Sequence, residues 1–266
     1  MKTTEFQELI WEQARELYRD MPWRRDTRPY YVLVSEIMLQ QTQVDRVIPK
    51  FEAFIAAFPD IQTLAKAPLS EVLQLWSGLG YNRRAKFLHE SAKKIVSDFN
   101  GTFPDSLEGL VSLPGVGVNT AGAILAYSFN QPIIFVETNV RTVYFHHYFH
   151  DDMTVTDKQI RAIAEQTIDK EHPREWYWGM MDYGSYLKRQ GVGRNDKSHH
   201  YKKQSALKGS VREVRGAIIK VLTLSDTTEA VLRQATFNDE RFEIALAGLL
   251  RDGLIVQTND TLHLAS

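Results

Sequence analysis

Residues 112–129 read SLPGVGVNTAGAILAYSF. Leu113-Pro114-Gly115-Val116-Gly117 forms a tight turn between two helical patterns: the proline fixes φ, and the two glycines permit backbone conformations closed to other residues. The following helix opens on small residues and carries no acid in its first turns, although helix starts favour Asp or Glu. Amides left without a resident carboxylate suit an external anion such as a nucleic-acid phosphate. Such amides read no base, so Leu113, Gly115, Val116 and Gly117 are expected to position a duplex without specifying its sequence. The other reading is the same turn in a protein that never meets DNA.

Outward from this hairpin, apolar residues recur three and four apart up to about residue 187, which predicts helices. Thr3 or Thr4 is expected to cap the first, which runs to about Asp20. A second is expected over Tyr30–Val44, and a third after Pro49. Pro59, Pro68, Gly78, Gly80, Gly101 and Pro104 punctuate short helices beyond. The 266 residues and 43% hydrophobic content suffice for a full core. The charged, amphipathic N-terminus does not read as a signal peptide and no run is long enough to span a bilayer, so the expected location is cytoplasmic, away from any membrane. Cysteine is absent, which excludes disulfides, cysteine-ligated zinc and cysteine-ligated iron–sulfur clusters.

A formal net charge of −1 is not the footprint of a nucleic-acid binder, but the charge is unevenly spread. Residues 186–215 hold nine Lys/Arg, among them Lys202, Lys203 and Lys208, against two acids. A DNA-backbone clamp and a solvated linker are the two readings. The last stretch is acidic. VREVRGAIIKVL, TTEAVLRQA and NDERFEIALAGLLRDG predict three helices, the third stopped by Gly253, and LIVQTNDTLHLAS predicts two short strands around Asn259-Asp260. Three helices and a hairpin are winged-helix-like, and the acidity favours a structural or protein-contacting role over DNA reading.

Two carboxylates draw notice. On a helix, Glu36 shares a face with Gln40 and Gln43. A partly buried acid there, its pKa raised, is able to donate a proton; a surface glutamate is the bland alternative. Glu137 follows the apolar run QPIIFV and precedes a helix that Thr138 or Asn139 is placed to cap, where Glu137 has the alternative task of serving the helix start. Two carboxylates from distant segments suit cleavage of a glycosidic bond, one protonating the leaving group and one steadying the cationic sugar.

The ordered runs MPWRRDTRPYYVLVSEIMLQQTQV, VIPKFEAFIAAFP, LAKAPLSEVLQLWSGLGYNRRAKFLH, LPGVGVNTAGAIL, NVRTV and MMDYG resemble MutY-type adenine glycosylases of the helix-hairpin-helix superfamily over roughly residues 5–187. The resemblance implies a mainly α, two-lobed glycosylase fold, here with a small C-terminal winged-helix-like domain. It implies Glu36 as general acid, Gln40, Gln41 and Thr42 as the loop wedged into the duplex, and Tyr81 as the intercalating aromatic. Trp23, Arg24 and Leu39 match residues around the extruded base. Flipping a base out and filling its gap with an aromatic is what access to a stacked base demands. Four departures stand out. Glu137 replaces an Asp, Trp178 a Gln or Glu that contacts adenine, and Asn119 a Ser or Tyr, or the nucleophilic Lys of endonuclease III-type relatives. The four cluster cysteines after MMDYG are missing, which makes this a clusterless variant.

The expectation is therefore a glycosylase domain over 1–187, a basic linker over 188–210 and a winged-helix-like domain over 211–266. It acts as a monomer on double-stranded DNA carrying a mismatched or damaged base, most simply adenine. It uses no metal or other cofactor and has no lyase activity, since an amide at position 119 forms no Schiff base. The alternatives are a glycosylase or nuclease for another lesion, and a non-catalytic DNA-binding protein.

Overall fold

The computed structural model describes residues 1–149, 154–193 and 206–266. They gather into two compact units that do not follow chain order. The first takes Met1–Val32, Asp105–Val111 and, of the described residues, 116–193; the second takes Leu33–Pro104, Ser112–Gly115 and 206–266.

In the first unit, α1 (Thr3–Glu16), α2 (Pro22–Arg25), α8 (Leu107–Val111), α9 (Val118–Phe129), α10 (Thr138–Tyr148), α11 (Asp157–Thr167) and α12 (Pro173–Arg189) surround an aromatic core. Phe6 stacks on Tyr144 at 5.5 Å and meets Trp176 edge-on at 6.0 Å. Helices α10 and α12 approach closely because position 184 is glycine: a Cβ there would lie 2.3 Å from the Asn139 carbonyl oxygen. Helix α1 stops at Glu16 rather than near Asp20, and Lys2, not Thr3 or Thr4, precedes it. The chain leaves the helix because the backbone N–H and guanidinium of Arg19 both turn to Asp182 on α12, at 3.2 and 2.6 Å.

The second unit contains most of α3 (Pro29–Leu39), then α4 (Val44–Ala57), α5 (Ile61–Lys66), α6 (Leu69–Trp76) and α7 (Arg83–Asp98). Helix α4 runs through Pro49 instead of starting after it. Val47, Phe51 and Phe54 share its buried face, followed by Phe58 at the end of the helix, and this burial outweighs the single hydrogen bond that an exposed proline forfeits. The C-terminal segment contributes α13 (Val211–Leu222), β1 (Thr227–Thr228), α14 (Glu229–Ala235), α15 (Glu240–Arg251), β2 (Ile255–Thr258) and β3 (Thr261–Leu264). The sheet order is β1-β3-β2, all antiparallel, with Ile255 opposite Leu264 and Thr227 opposite Leu262. The three helices and the hairpin match the sequence reading; β1 does not, because two residues carry no periodicity.

No helix among the described residues is long and apolar enough to cross a membrane.

Candidate nucleic-acid interface and carboxylates

In the second unit, Glu36 sits half-buried on α3 between the buried Ser35 and Ile37. The helix ends at Leu39, itself half-buried, so Gln40 and Gln43 do not extend Glu36's helical face as the sequence suggests. The cause is a residue on α7 that sequence reasoning missed. The last carbonyls of a helix lack intrahelical donors. Arg84, 7% exposed, supplies them. Its guanidinium donates to the carbonyls of Ile37, Met38 and Gln40 at 2.9, 2.8 and 2.5 Å. The same group donates to Thr42 Oγ1 at 3.0 Å and to the carbonyls of Leu79 and Gly80 at 3.3 and 3.0 Å.

One buried cation therefore knits the Gln40-Gln41-Thr42 loop to the loop that carries Tyr81. Both loops hold a non-glycine residue in the left-handed region, Gln41 at φ +56° and Tyr81 at φ +49°. Such conformations cost about 1–3 kcal/mol each and persist where surrounding bonds over-determine them. Burial lowers the Arg84 pKa to about 10, which leaves it charged near neutrality.

The hairpin turn joins the same network. Gln40 Nε2 donates to the Gly115 carbonyl at 3.3 Å, and Ser91 Oγ donates to the Pro114 carbonyl at 2.7 Å. Gly115, at φ +76°, is the glycine the turn requires, and a Cβ there would strike Phe87 at 2.8 Å. Gly117 is different: it precedes α9 at φ −87°, with open space around a would-be Cβ. The expectation that both glycines supply forbidden conformations is corrected to one. Leu113 and Val116 are buried, while Gly115 and Gly117 are exposed, and the first turn of α9 holds no acid.

In the first unit, Glu137 is itself the cap of α10, in place of Thr138 or Asn139. Its Oε1 accepts from the backbone N–H groups of Asn139 at 2.7 Å and Val140 at 3.2 Å. Burial pushes its carboxyl above the ordinary glutamate range, while those two N–H groups and the charges of Lys188 and Arg141 pull the other way.

Asn119 stands just upstream in space. Its Nδ2 donates to the Val136 carbonyl at 2.9 Å, and its Oδ1 accepts from the Val136 N–H at 3.4 Å. The side chain of position 119 thus holds the backbone that leads into Glu137. Arg161 supports the same strap by donating to the Ile134 carbonyl at 2.8 Å.

Trp23 is buried, and Arg24 spends its guanidinium on protein partners: Asp182 at 2.6 and 3.0 Å, and the Arg19 carbonyl at 3.0 Å. Asp182 was not singled out from the sequence, although an acid in the apolar run MMDYG is the signal that would find it. Removing one partner of such a buried pair typically costs about 3–5 kcal/mol. Trp178 lies half-buried, stacked on Tyr127 at 6.4 Å, with the Arg24 guanidinium 5.4 Å from its ring.

Glu36, Leu39, Gln40, Gln41, Thr42, Tyr81, Leu113 and Gly115 thus belong to the second unit, and Trp23, Arg24, Val116, Gly117, Asn119, Glu137 and Trp178 to the first. Of the basic stretch, Lys208 is exposed just before α13, while Lys202 and Lys203 lie outside the described residues. Cysteine thiolates would be needed to hold an iron–sulfur cluster after Gly184; the chain has none, so its residues do not fit that group. Among the described residues no group of three or more His, Cys, Asp or Glu is arranged to hold a metal ion.

Comparison with known proteins places the chain in a family. A family model described as HhH-GPD superfamily base excision DNA repair protein matches residues 34–170. The adenine DNA glycosylase of Buchnera aphidicola is 38% identical over 173 residues, which cover 64% of this chain and 48% of the relative. That of Mycobacterium tuberculosis is 32% identical over 275 residues, covering 95% of this chain and 90% of the relative. A solved structure of a thermostable thymine-DNA glycosylase superimposes with a TM-score of 0.64 at 27% identity, over 69% of this chain and 86% of its own. The chain spans about half the length of several curated relatives it matches. With half of its residues inside the family model and nearly all of them paired to one relative, this chain belongs to the HhH-GPD superfamily of base excision DNA repair proteins.

Proposed function

We propose that this protein is a DNA glycosylase that hydrolyses the N-glycosidic bond of adenine extruded from a mismatch in double-stranded DNA. Glu36 protonates the leaving base, and ionised Glu137 steadies the oxocarbenium-like sugar. The observation that carries the reading is the setting of Glu137. Its carboxyl is fixed on one oxygen by two backbone N–H groups. A second carboxylate must be held in place to act electrostatically rather than drift. The relatives named adenine DNA glycosylase support adenine as the base. The hairpin and its exposed Gly115 and Gly117 take up phosphate, Gln40, Gln41 and Thr42 enter the duplex, Tyr81 fills the gap, and Trp23, Leu39 and Trp178 border the base.

The enzyme works as a cytoplasmic monomer without a cofactor. It is monofunctional: the Asn119 amide is not a nucleophile, and its hydrogen bonds are already given to Val136. The C-terminal segment is a winged-helix-like domain joined through the basic stretch.

The test incubates the protein with labelled duplexes carrying each mismatch in turn, with and without hot alkali, and with borohydride. Strand cleavage at adenine only after alkali, with no trapped covalent complex, is the expected result. Cleavage without alkali, or a strong trapped band, sinks the monofunctional reading; cleavage at another base redirects the substrate.

A further inference from the structure

The C-terminal segment reaches the loop that carries Tyr81. Within the second unit, the Arg212 side chain on the first turn of α13 donates a hydrogen bond to the Tyr81 hydroxyl, with its guanidinium carbon 5.0 Å from the ring centroid. Arg84 stands 5.6 Å from the same ring.

The rest of the C-terminal segment is fastened to α7, the helix that follows Tyr81. The Asp252 carbonyl accepts from Lys86 Nζ at 2.7 Å. The Asp252 carboxylate pairs with Arg215 at 2.6 Å and, more distantly, with Arg83 at 3.9 Å. Arg83 and Lys86 thus turn to the C-terminal segment while Arg84, between them, turns to the two loops. The Tyr81 backbone is set by Gly78, Gly80 and its own positive φ, but these fix only the main chain. The ring and its hydroxyl meet Arg84 and, across 131 positions of sequence, Arg212.

We propose that Arg212 is a positioning residue for Tyr81: the C-terminal segment presets the ring that replaces the extruded base. This rests on the reading of Tyr81 as the aromatic that enters the duplex. A guanidinium over the face and a hydrogen bond at the hydroxyl hold the ring in one orientation before DNA arrives. The cost of ordering that side chain is then met in the free protein rather than during base extrusion. It also gives the C-terminal segment a role in base flipping that needs no phosphate contact of its own.

The test is single-turnover release of adenine from an adenine–guanine mismatch duplex, alongside the same adenine placed in an unpaired bubble. Arg212→Ala should slow release from the duplex by up to ~10²-fold, the scale expected from a group misplaced by about 1 Å. It should leave release from the bubble unchanged, because an already unstacked base needs little help in leaving. Tyr81→Phe, which removes only the hydroxyl, should reproduce part of the loss without disturbing the fold. In a Tyr81→Ala background, Arg212→Ala should add nothing further. Unchanged duplex release in Arg212→Ala overturns the proposal. So does an equal loss in the bubble or in the Tyr81→Ala background, since Arg212 then acts on DNA or on the fold by itself. Wild-type duplex release by Tyr81→Ala alone would show instead that the reading of Tyr81 has failed, and the Arg212 proposal with it.

Discussion

At the scale of single residues, the proposed reaction sets the two carboxylates opposite requirements. Glu36 must carry a proton to give one. Glu36→Gln keeps the shape but not the acid, so base release should fall by ~10²–10⁴-fold. Duplex affinity, measured beside the single-turnover rate, should hardly change. Full release by the variant would remove Glu36 from the mechanism. Glu137 must be ionised, and burial raises its pKa. Activity should therefore rise with pH through a limb set above the ordinary glutamate range, and Glu137→Gln should lose that limb together with most of the rate. The sign for stability is the reverse. A raised folded-state pKa favours the protonated form, so its contribution is full below the unfolded pKa and is lost as pH rises through the folded value. Urea unfolding across that window should show the wild type losing stability relative to Glu137→Gln. Both acids were legible in the sequence, because a lone acid in an apolar run is conspicuous. The capping role of Glu137 was legible only as an alternative, since capping depends on a backbone conformation that residue types do not fix.

At the scale of elements, the hairpin and most helices follow from apolar spacing and from Pro and Gly. Helix ends do not. Helix α3 stops at Leu39 although no proline or glycine follows it before Pro49, because Arg84, more than forty residues away, takes its last carbonyls. Propensity is local, whereas this stop comes from a tertiary hydrogen bond, so GLGYNRRA displays the arginine without its task. Arg84→Met should lower stability by about 3 kcal/mol, since it leaves several buried carbonyls without a donor. Hydrogen exchange should show the extra opening concentrated in residues 37–42 and 78–82. Stability within experimental error of wild type would mean that those carbonyls find other donors. The same reasoning explains Arg24 and Asp182. The resemblance implies Arg24 beside a base, whereas the structure commits its guanidinium to a buried ion pair on α12 that spacing cannot reveal.

At the scale of the whole molecule, composition conceals an asymmetry: a near-neutral chain holds a stretch of nine Lys/Arg against two acids. If that stretch grips the phosphate backbone, replacing Lys202, Lys203 and Lys208 by Ala should weaken binding to every duplex alike. For every phosphate no longer neutralised, the slope of log affinity against log salt should fall by about 1. An unchanged slope from low to moderate salt would leave a solvated linker. The division into two units was the least legible feature. The periodicity up to residue 187 reads as one continuous domain with an appendage, whereas residues 206–266 share a unit with Leu33–Pro104. Nothing in local sequence says that Asp252 will meet Lys86 and Arg83, because those bonds are made by elements that are complete without one another.

That interleaving bears on how the protein is made. Since each unit is assembled from separated stretches of chain, no single cut yields the two units as two pieces. On the ribosome, α4–α7 emerge long before α13–α15, so the face that will take Asp252 and Arg212 waits uncovered while more than a hundred residues are synthesised. A gene fragment encoding residues 1–187 alone leaves that face bare permanently, and it should unfold at lower urea than the full chain.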